Sequence, residues 1–222
     1  MAATAKQLVK EKKNWYMIVA SNLFPDAVLG ESIVSDVDEL MNRHITVNLM
    51  TLTNDAKHQS INVTFKINKI ADNRAFAEVI AYETSPSALK RFVRRDISRL
   101  DDSFVCESLD KKQFRIKMMV LTKSKTTSSV LKAIRRSMVQ AIARETAKND
   151  FETIIRMVIG YKLQGGSRDS LKKIYPLRGF EIKKIELVKK AGARIVKPKA
   201  DLEQKEAQKE NADVAEEQEE EQ

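Results

Sequence analysis

Ile61-Asn62-Val63-Thr64-Phe65-Lys66-Ile67 alternates large apolar and polar side chains, the period of a strand with one face buried. Ala71-Asp72-Asn73-Arg74 then supplies the Asp and Asn that a tight reversal favours, and Ala75 to Tyr82 follows as a second extended run. The two read as a hairpin. Outward from it, Ile45, Val47 and Leu49 alternate with Thr46 and Asn48, and Phe114, Ile116, Met118 and Val120 alternate with Arg115 and Lys117. Trp15-Tyr16-Met17-Ile18-Val19, aromatic and β-branched and closed by Pro25, adds a strand near the start. Runs of this length joined by short turns predict an antiparallel meander. A helical turn is expected at Asp36 to Met41, with Ser35 as N-cap.

Beyond these strands the period changes. Ser85-Pro86 opens a helix, with Leu89, Phe92 and Val93 on its apolar side, expected to end near Asp96. Val130, Ile134, Met138, Ala141 and Ile142 share one arc of a long helix from Ser128 to about Lys148, with Lys132 and Arg136 opposite. Phe151, Ile154, Ile155, Val158 and Ile159 form a second helix, for which Gly165-Gly166 is the expected stop. A short helix from about Asp169 to Ile174 runs into Pro176. Phe180, Ile182, Ile185 and Leu187 make a last strand whose alternation breaks at Lys183-Lys184, the mark of a bulge. The fold class is α+β: a mainly antiparallel sheet packed with C-terminal helices.

The net charge of +9 conceals two opposed segments. From Asp201 to Gln222 there are ten acidic and two basic residues, so the tail carries −8 and the body +17. Residues 1–13 read as a flexible basic arm, and residues 198–222, rich in Glu, Gln and Ala, as a disordered acidic tail. The domain between them is 14–197. A body of that sign attracts a polyanion. The apolar run Trp15 to Ala20 is too short for a signal core or a membrane span, so the expected setting is cytoplasmic, with no membrane partner.

Few residues suit catalysis. His44 and His58 lie at no ligand spacing from each other or from Cys106, so no metal and no cofactor are expected. Cys106, flanked by Phe104 and Val105, reads as a small buried side chain. Asp101-Asp102 would point to opposite sides of an extended chain, which suits a turn or pairing with Arg better than a shared metal. The expectation is a protein without enzymatic activity.

Cationic clusters are what remain. The first holds Lys90, Arg91, Arg94, Arg95 and Arg99 against the single acid Asp96, more charge than solvating one helix face requires. The second begins in the hydroxyl-rich loop with Lys123 and Lys125 and continues through Lys132, Arg135 and Arg136. Positive charge there opposes the helix dipole unless an anion lies outside. The third gathers Lys172, Lys173, Arg178, Lys183 and Lys184 around Tyr175, a residue equally suited to stacking on a base or packing under a turn. Aromatic residues are only 6% and scattered, which argues against a stacking platform and for recognition of backbone and shape.

The ordered features resemble a known family. Trp15 through Leu29-Gly30-Glu31, the basic helix leading to Ile97-Ser98-Arg99-Leu100-Asp101-Asp102, the Ser128-Ser129 helix entry, Asp150-Phe151 and Ile174-Tyr175-Pro176-Leu177-Arg178 together resemble the archaeal and eukaryotic small-subunit ribosomal protein family S-three-Ae, also named e-S-one. The likeness runs from about Asn14 to Val188, and the acidic end suits an archaeal member. It implies a structural protein of the small ribosomal subunit, on the platform near the messenger exit. Its implied partners are small-subunit ribosomal RNA, neighbouring platform proteins and messenger RNA near the exit. It also implies a barrel-like sheet. The family's Arg-x-Ser-Arg region falls near Arg95 to Arg99, with Asp96-Ile97 where a further Arg and Thr are usual, and its Tyr-Pro-Leu-Arg element falls on Tyr175 to Arg178. A free RNA chaperone or ribosome-assembly factor is the alternative reading.

Overall fold

A computed structural model describes residues 13–20, 23–24, 27–188 and 196. The N-terminal arm up to residue 12 and the acidic tail fall outside the described residues. The chain divides between Ile80 and Ala81 into two compact units.

In the first unit, β1 (Asn14–Ala20) runs antiparallel to β2 (Val28–Val34), while β3 (His44–Asn48) runs antiparallel to β4 (Ile61–Ala71). β4 turns back into β5 (Arg74–Thr84), which crosses the division between the units. Asp72 and Asn73 both take positive φ, 48° and 60°, the backbone of a two-residue turn whose twist matches its strands. The alternation that predicted β4 is realised side chain by side chain: Ile61, Val63, Phe65 and Ile67 are buried and the residues between them are not. One pairing departs from the expected meander. β1 lies parallel to β5, Met17 opposite Arg74 through Ala20 opposite Ala77.

Two further details differ from the reading of the sequence. The turn near residue 36 is a 3-10 turn, Val37–Leu40, with Asp36 rather than Ser35 at its N-cap. Leu49, expected to close a strand, opens α1 (Leu49–Thr53), because the Asn48 side chain accepts a hydrogen bond from the Met50 N–H and caps a helix there.

The second unit orders its strands as β5-β8-β7-β6, all antiparallel, with β6 at Arg99–Glu107, β7 at Gln113–Thr122 and β8 at Leu177–Leu187. In the ladder between β7 and β8, Lys117 pairs with Lys184 and Met118 with Ile182, so Lys183 is the extra residue of the expected bulge. Helix α2 (Pro86–Phe92) stops four residues short of Asp96, leaving Arg94 and Arg95 in the connection to β6. Helix α3 (Ser128–Lys148) buries Ile134, Met138, Ile142, Ala143 and Thr146. It is followed by α4 (Phe151–Ile159) and α5 (Lys162–Lys172).

Gly165-Gly166 does not stop a helix but lies inside α5. The break comes earlier, at Gly160 and at Tyr161 with φ 56°. Buried Leu163, Gln164, Ser167 and Leu171 anchor α5, and tertiary burial of this kind overrides the weak helix propensity of two exposed glycines.

The barrel-like closure implied by the resemblance is not found. Among the described residues β2, β3 and β6 each pair on one side only, so the sheet is open. A barrel needs its first and last strands to exchange hydrogen bonds. The outer edge of β6 instead accepts a bond from the Val196 N–H at the Val105 carbonyl, 2.9 Å.

Cys106 on β6 is fully buried, and burial pushes its thiol up to about 11, against a smaller opposing hydrogen bond with Thr146. The thiolate is the reactive form. We therefore expect Cys106 in the native protein to resist a thiol reagent at pH 8 and to be modified at once in denaturant, which a mass-shift assay reads directly.

Candidate nucleic-acid interface

All sixteen residues singled out from the sequence lie in the second unit, and its backbone brings the three clusters together at Thr122. This buried residue ends β7. Its N–H donates to the Ser98 carbonyl (3.1 Å) and its Oγ1 accepts from the Ser98 N–H (2.9 Å). Its one hydroxyl proton faces the Ser124 carbonyl at 2.7 Å. The Thr126 N–H donates to Ser98 Oγ (3.1 Å), so the segment ending the first cluster is tied to the loop that starts the second. The Lys123 N–H donates to the Pro176 carbonyl (3.0 Å), and Ser124 Oγ and Tyr175 Oη lie 2.6 Å apart, which ties in the third. Tyr175 thus acts as a half-buried strut with its hydroxyl engaged.

One substitution tests this node. Thr122→Val keeps the shape and removes the hydroxyl, leaving the half-buried Ser98 N–H without its acceptor, a loss worth about 1 kcal/mol. Urea unfolding should register the destabilisation, and the Ser98 amide should lose protection from hydrogen exchange.

Five of the fifteen cations are already paired. Arg99 Nε lies 2.6 Å from Asp101, which also pairs with Lys183, and Arg135 Nε lies 3.2 Å from Asp102. Lys172 meets Asp169 at 2.7 Å, and Lys184 meets Glu186 at 2.8 Å. The two aspartates thus pair with arginine as expected, though from strand β6 rather than a turn. Burial opposes ionisation of Asp101, and the hydrogen bonds from Lys183 and Arg99 outweigh it, holding its carboxyl below the usual range. The Glu186 hydrogen bond raises Lys184 in the same way.

The other ten cations, Lys90, Arg91, Arg94, Arg95, Lys123, Lys125, Lys132, Arg136, Lys173 and Arg178, are exposed and form no ion pair among the described residues. Exposed like charges repel one another in the free protein, and an external polyanion offsets that repulsion. Paired and unpaired cations share one groove of about 400 Å³, where Lys90 and Arg99 face Lys183 and Lys184. Lys117 of β7 completes it, a residue the sequence reading passed over. Its only signal was its place on the polar side of the alternation. The bulge is why consecutive Lys183 and Lys184 both line this groove. A shallower depression joins Lys125 to Thr126, Thr127, Val130 and Tyr175.

Among the described residues no cluster of three or more His, Cys, Asp or Glu side chains could hold a metal ion, and no helix is long and apolar enough to cross a membrane. The connected basic surface fits a phosphate backbone.

The model of the ribosomal S3Ae family matches residues 4–191, most of the chain. The chain belongs to the ribosomal S3Ae family. Curated relatives of this S3Ae chain carry the name small ribosomal subunit protein eS1. That of Haloarcula marismortui is 36% identical over 178 residues, covering 80% of this chain and 83% of the relative. The Methanoculleus marisnigri protein is 31% identical over 175 residues, 79% of this chain and 89% of the relative. The Methanobrevibacter smithii protein is 29% identical over 189 residues, 84% and 98% respectively. All three organisms are archaea.

Proposed function

We propose that this S3Ae-family chain is a structural, non-enzymatic component of the small ribosomal subunit that holds ribosomal RNA by neutralising its phosphates. The observation that carries this reading is the convergence of three basic segments at Thr122, with ten of their fifteen cations in no ion pair among the described residues. The relatives' names support the assembly, and the family resemblance supports a place on the platform near the messenger exit. Neighbouring platform proteins, and messenger RNA passing the exit, are the further contacts on this reading. Its setting is the cytoplasm. RNA binding by residues 14–197 narrows to the face of the second unit that carries the clusters. Mechanistically, exposed Lys and Arg displace counterions from packed RNA segments and hold them against a sheet backed by helices.

Sedimentation tests this. The tagged chain should remain with small subunits through a high-salt wash, and a variant with Arg94, Arg95 and Arg178 changed to Ala should fold normally yet incorporate poorly. Release of the unaltered chain by the wash would instead favour the RNA chaperone or assembly factor.

A further inference from the structure

The cationic clusters all lie in the second unit, and the first unit carries a surface of opposite character. Residues 14–42 hold five acids and no Lys, Arg or His, in a body whose net charge is strongly positive. This segment makes β1, β2 and the 3-10 turn after them. Trp15, the one tryptophan of the chain, is 61% exposed. Ile33 is its partner across the antiparallel pair and Met17 lies two residues along, so the three share one side of the sheet. Ile33 is 42% exposed, Met17 39%, and Val37 in the following turn 43%. The core lies on the other side, where Tyr16, Ile18 and Val34 are buried.

A sheet face turned to water is ordinarily polar. An apolar patch rimmed by charge marks an interaction surface, and Trp and Met are enriched in the cores of protein interfaces. Exposed Glu31 stands opposite Met17, and exposed Asp36, Asp38 and Glu39 follow β2. None of the four forms an ion pair among the described residues. Arg74 of β5, in register with Met17 from the other side, is a base beside the patch. The acids outnumber it. Such a rim repels a phosphate backbone, the acidic tail and a second copy of the same face, and it attracts Lys and Arg. Among the described residues β2 also keeps one edge unpaired, which offers main-chain partners to an extended segment.

We propose that this face of β1 and β2 docks a basic, apolar segment of a separate protein of the same particle, while the second unit holds RNA. Trp15 is the anchor, since a tryptophan sealed from water dominates the energy of many interfaces. Glu31, Asp36, Asp38 and Glu39 select the sign of the partner. The inference rests on the small-subunit reading above and assigns protein and nucleic acid to different parts of the chain.

The test places the photoreactive residue p-benzoylphenylalanine in the full tagged chain, in place of Met17 or of Arg94. Small subunits that have taken up each chain are isolated by sedimentation, irradiated, and treated with nuclease or protease. The probe at position 17 should give a product that survives nuclease and joins the chain to a peptide carrying Lys or Arg beside apolar residues. The probe at position 94 should give a nuclease-sensitive product. Trp15→Ala should cut the yield at position 17 at least tenfold, as expected for a central anchor. Because Trp15 is exposed, that variant should melt with the unaltered chain. Reversing Asp36, Asp38 and Glu39 to Lys should lower the yield in the same way without touching the apolar side chains. A product at position 17 formed with RNA, with a second copy, or with residues 1–12 of the same chain would overturn the docking face, as would no product in particles that contain the chain. In each case the RNA product at position 94 would leave the functional reading intact. Absence of the chain from small subunits would overturn both.

Discussion

Between about 50 and about 200 mM monovalent salt, the affinity of this chain for structured RNA is expected to fall roughly 10³- to 10⁵-fold. That range belongs to a surface making ~6–10 phosphate contacts, and ten of the fifteen cations singled out from the sequence are exposed with no ion pair among the described residues. Each contact releases counterions from the RNA, so the effect appears as a linear slope of log affinity against log salt. Removing Arg94 and Arg95 should flatten the slope by about 0.7–0.9 for each cation. Lys172→Ala should change it less, because Asp169 already offsets that charge at 2.7 Å. An unchanged slope in the Arg94→Ala, Arg95→Ala variant would place both residues outside the interface.

The second large effect is on stability. Phe151→Ala is expected to cost about 3–5 kcal/mol, the range for emptying a large aromatic site in a packed core. Phe151 opens α4, is 1% exposed, and packs on fully buried Phe114 of β7 with ring centroids 5.5 Å apart and planes at 59°. The pair joins a helix to the sheet, so the substitution loses both buried area and an aromatic contact. Against a typical stability of about 5–15 kcal/mol, the loss should move the urea midpoint far downward with little change in slope. A shift of under about 1 kcal/mol would mean that α4 and β7 rearrange to fill the space.

Much of this fold is legible as period. β4, the first half of β7 and β8 alternate because one face of each is covered, and α3 shows its apolar arc because the opposite side is wet. β6 was hidden for the opposite reason. Phe104, Val105 and Cys106 are all buried in succession, so no alternation marks the strand, and Asp101-Asp102 drew a chemical reading instead. β2, with Gly30 and Glu31 in an edge strand, shows no periodic signal. The parallel contact of β1 with β5 joins residues far apart in sequence, which no local pattern records.

The candidate interface divides in the same manner. Its cations could be named from composition and spacing. That Ser98, Thr122 and Tyr175 tie them into one surface could not, because the bonds join a main-chain N–H to a hydroxyl 24 residues away and one hydroxyl to another 51 residues away. The course of α5 had no sequence signal either: Gly165-Gly166 read as a helix end, and the helix continues through it.

The extra residue in β8 shows how a strand can change its surface while keeping its interior. Phe180 and Ile182 fall on even positions and Ile185 and Leu187 on odd ones, a half-period slip that would turn one pair outward on a regular strand. Without Lys183 the four apolar residues would run in unbroken alternation. Lys183 is thus an insertion to which the interior is indifferent, and its effect is on the outer face, where it adds one positive charge and a partner for Asp101. Among relatives of this chain, a change of length at that position would tune the surface charge by one unit and leave the packing of β8 against its neighbours in phase.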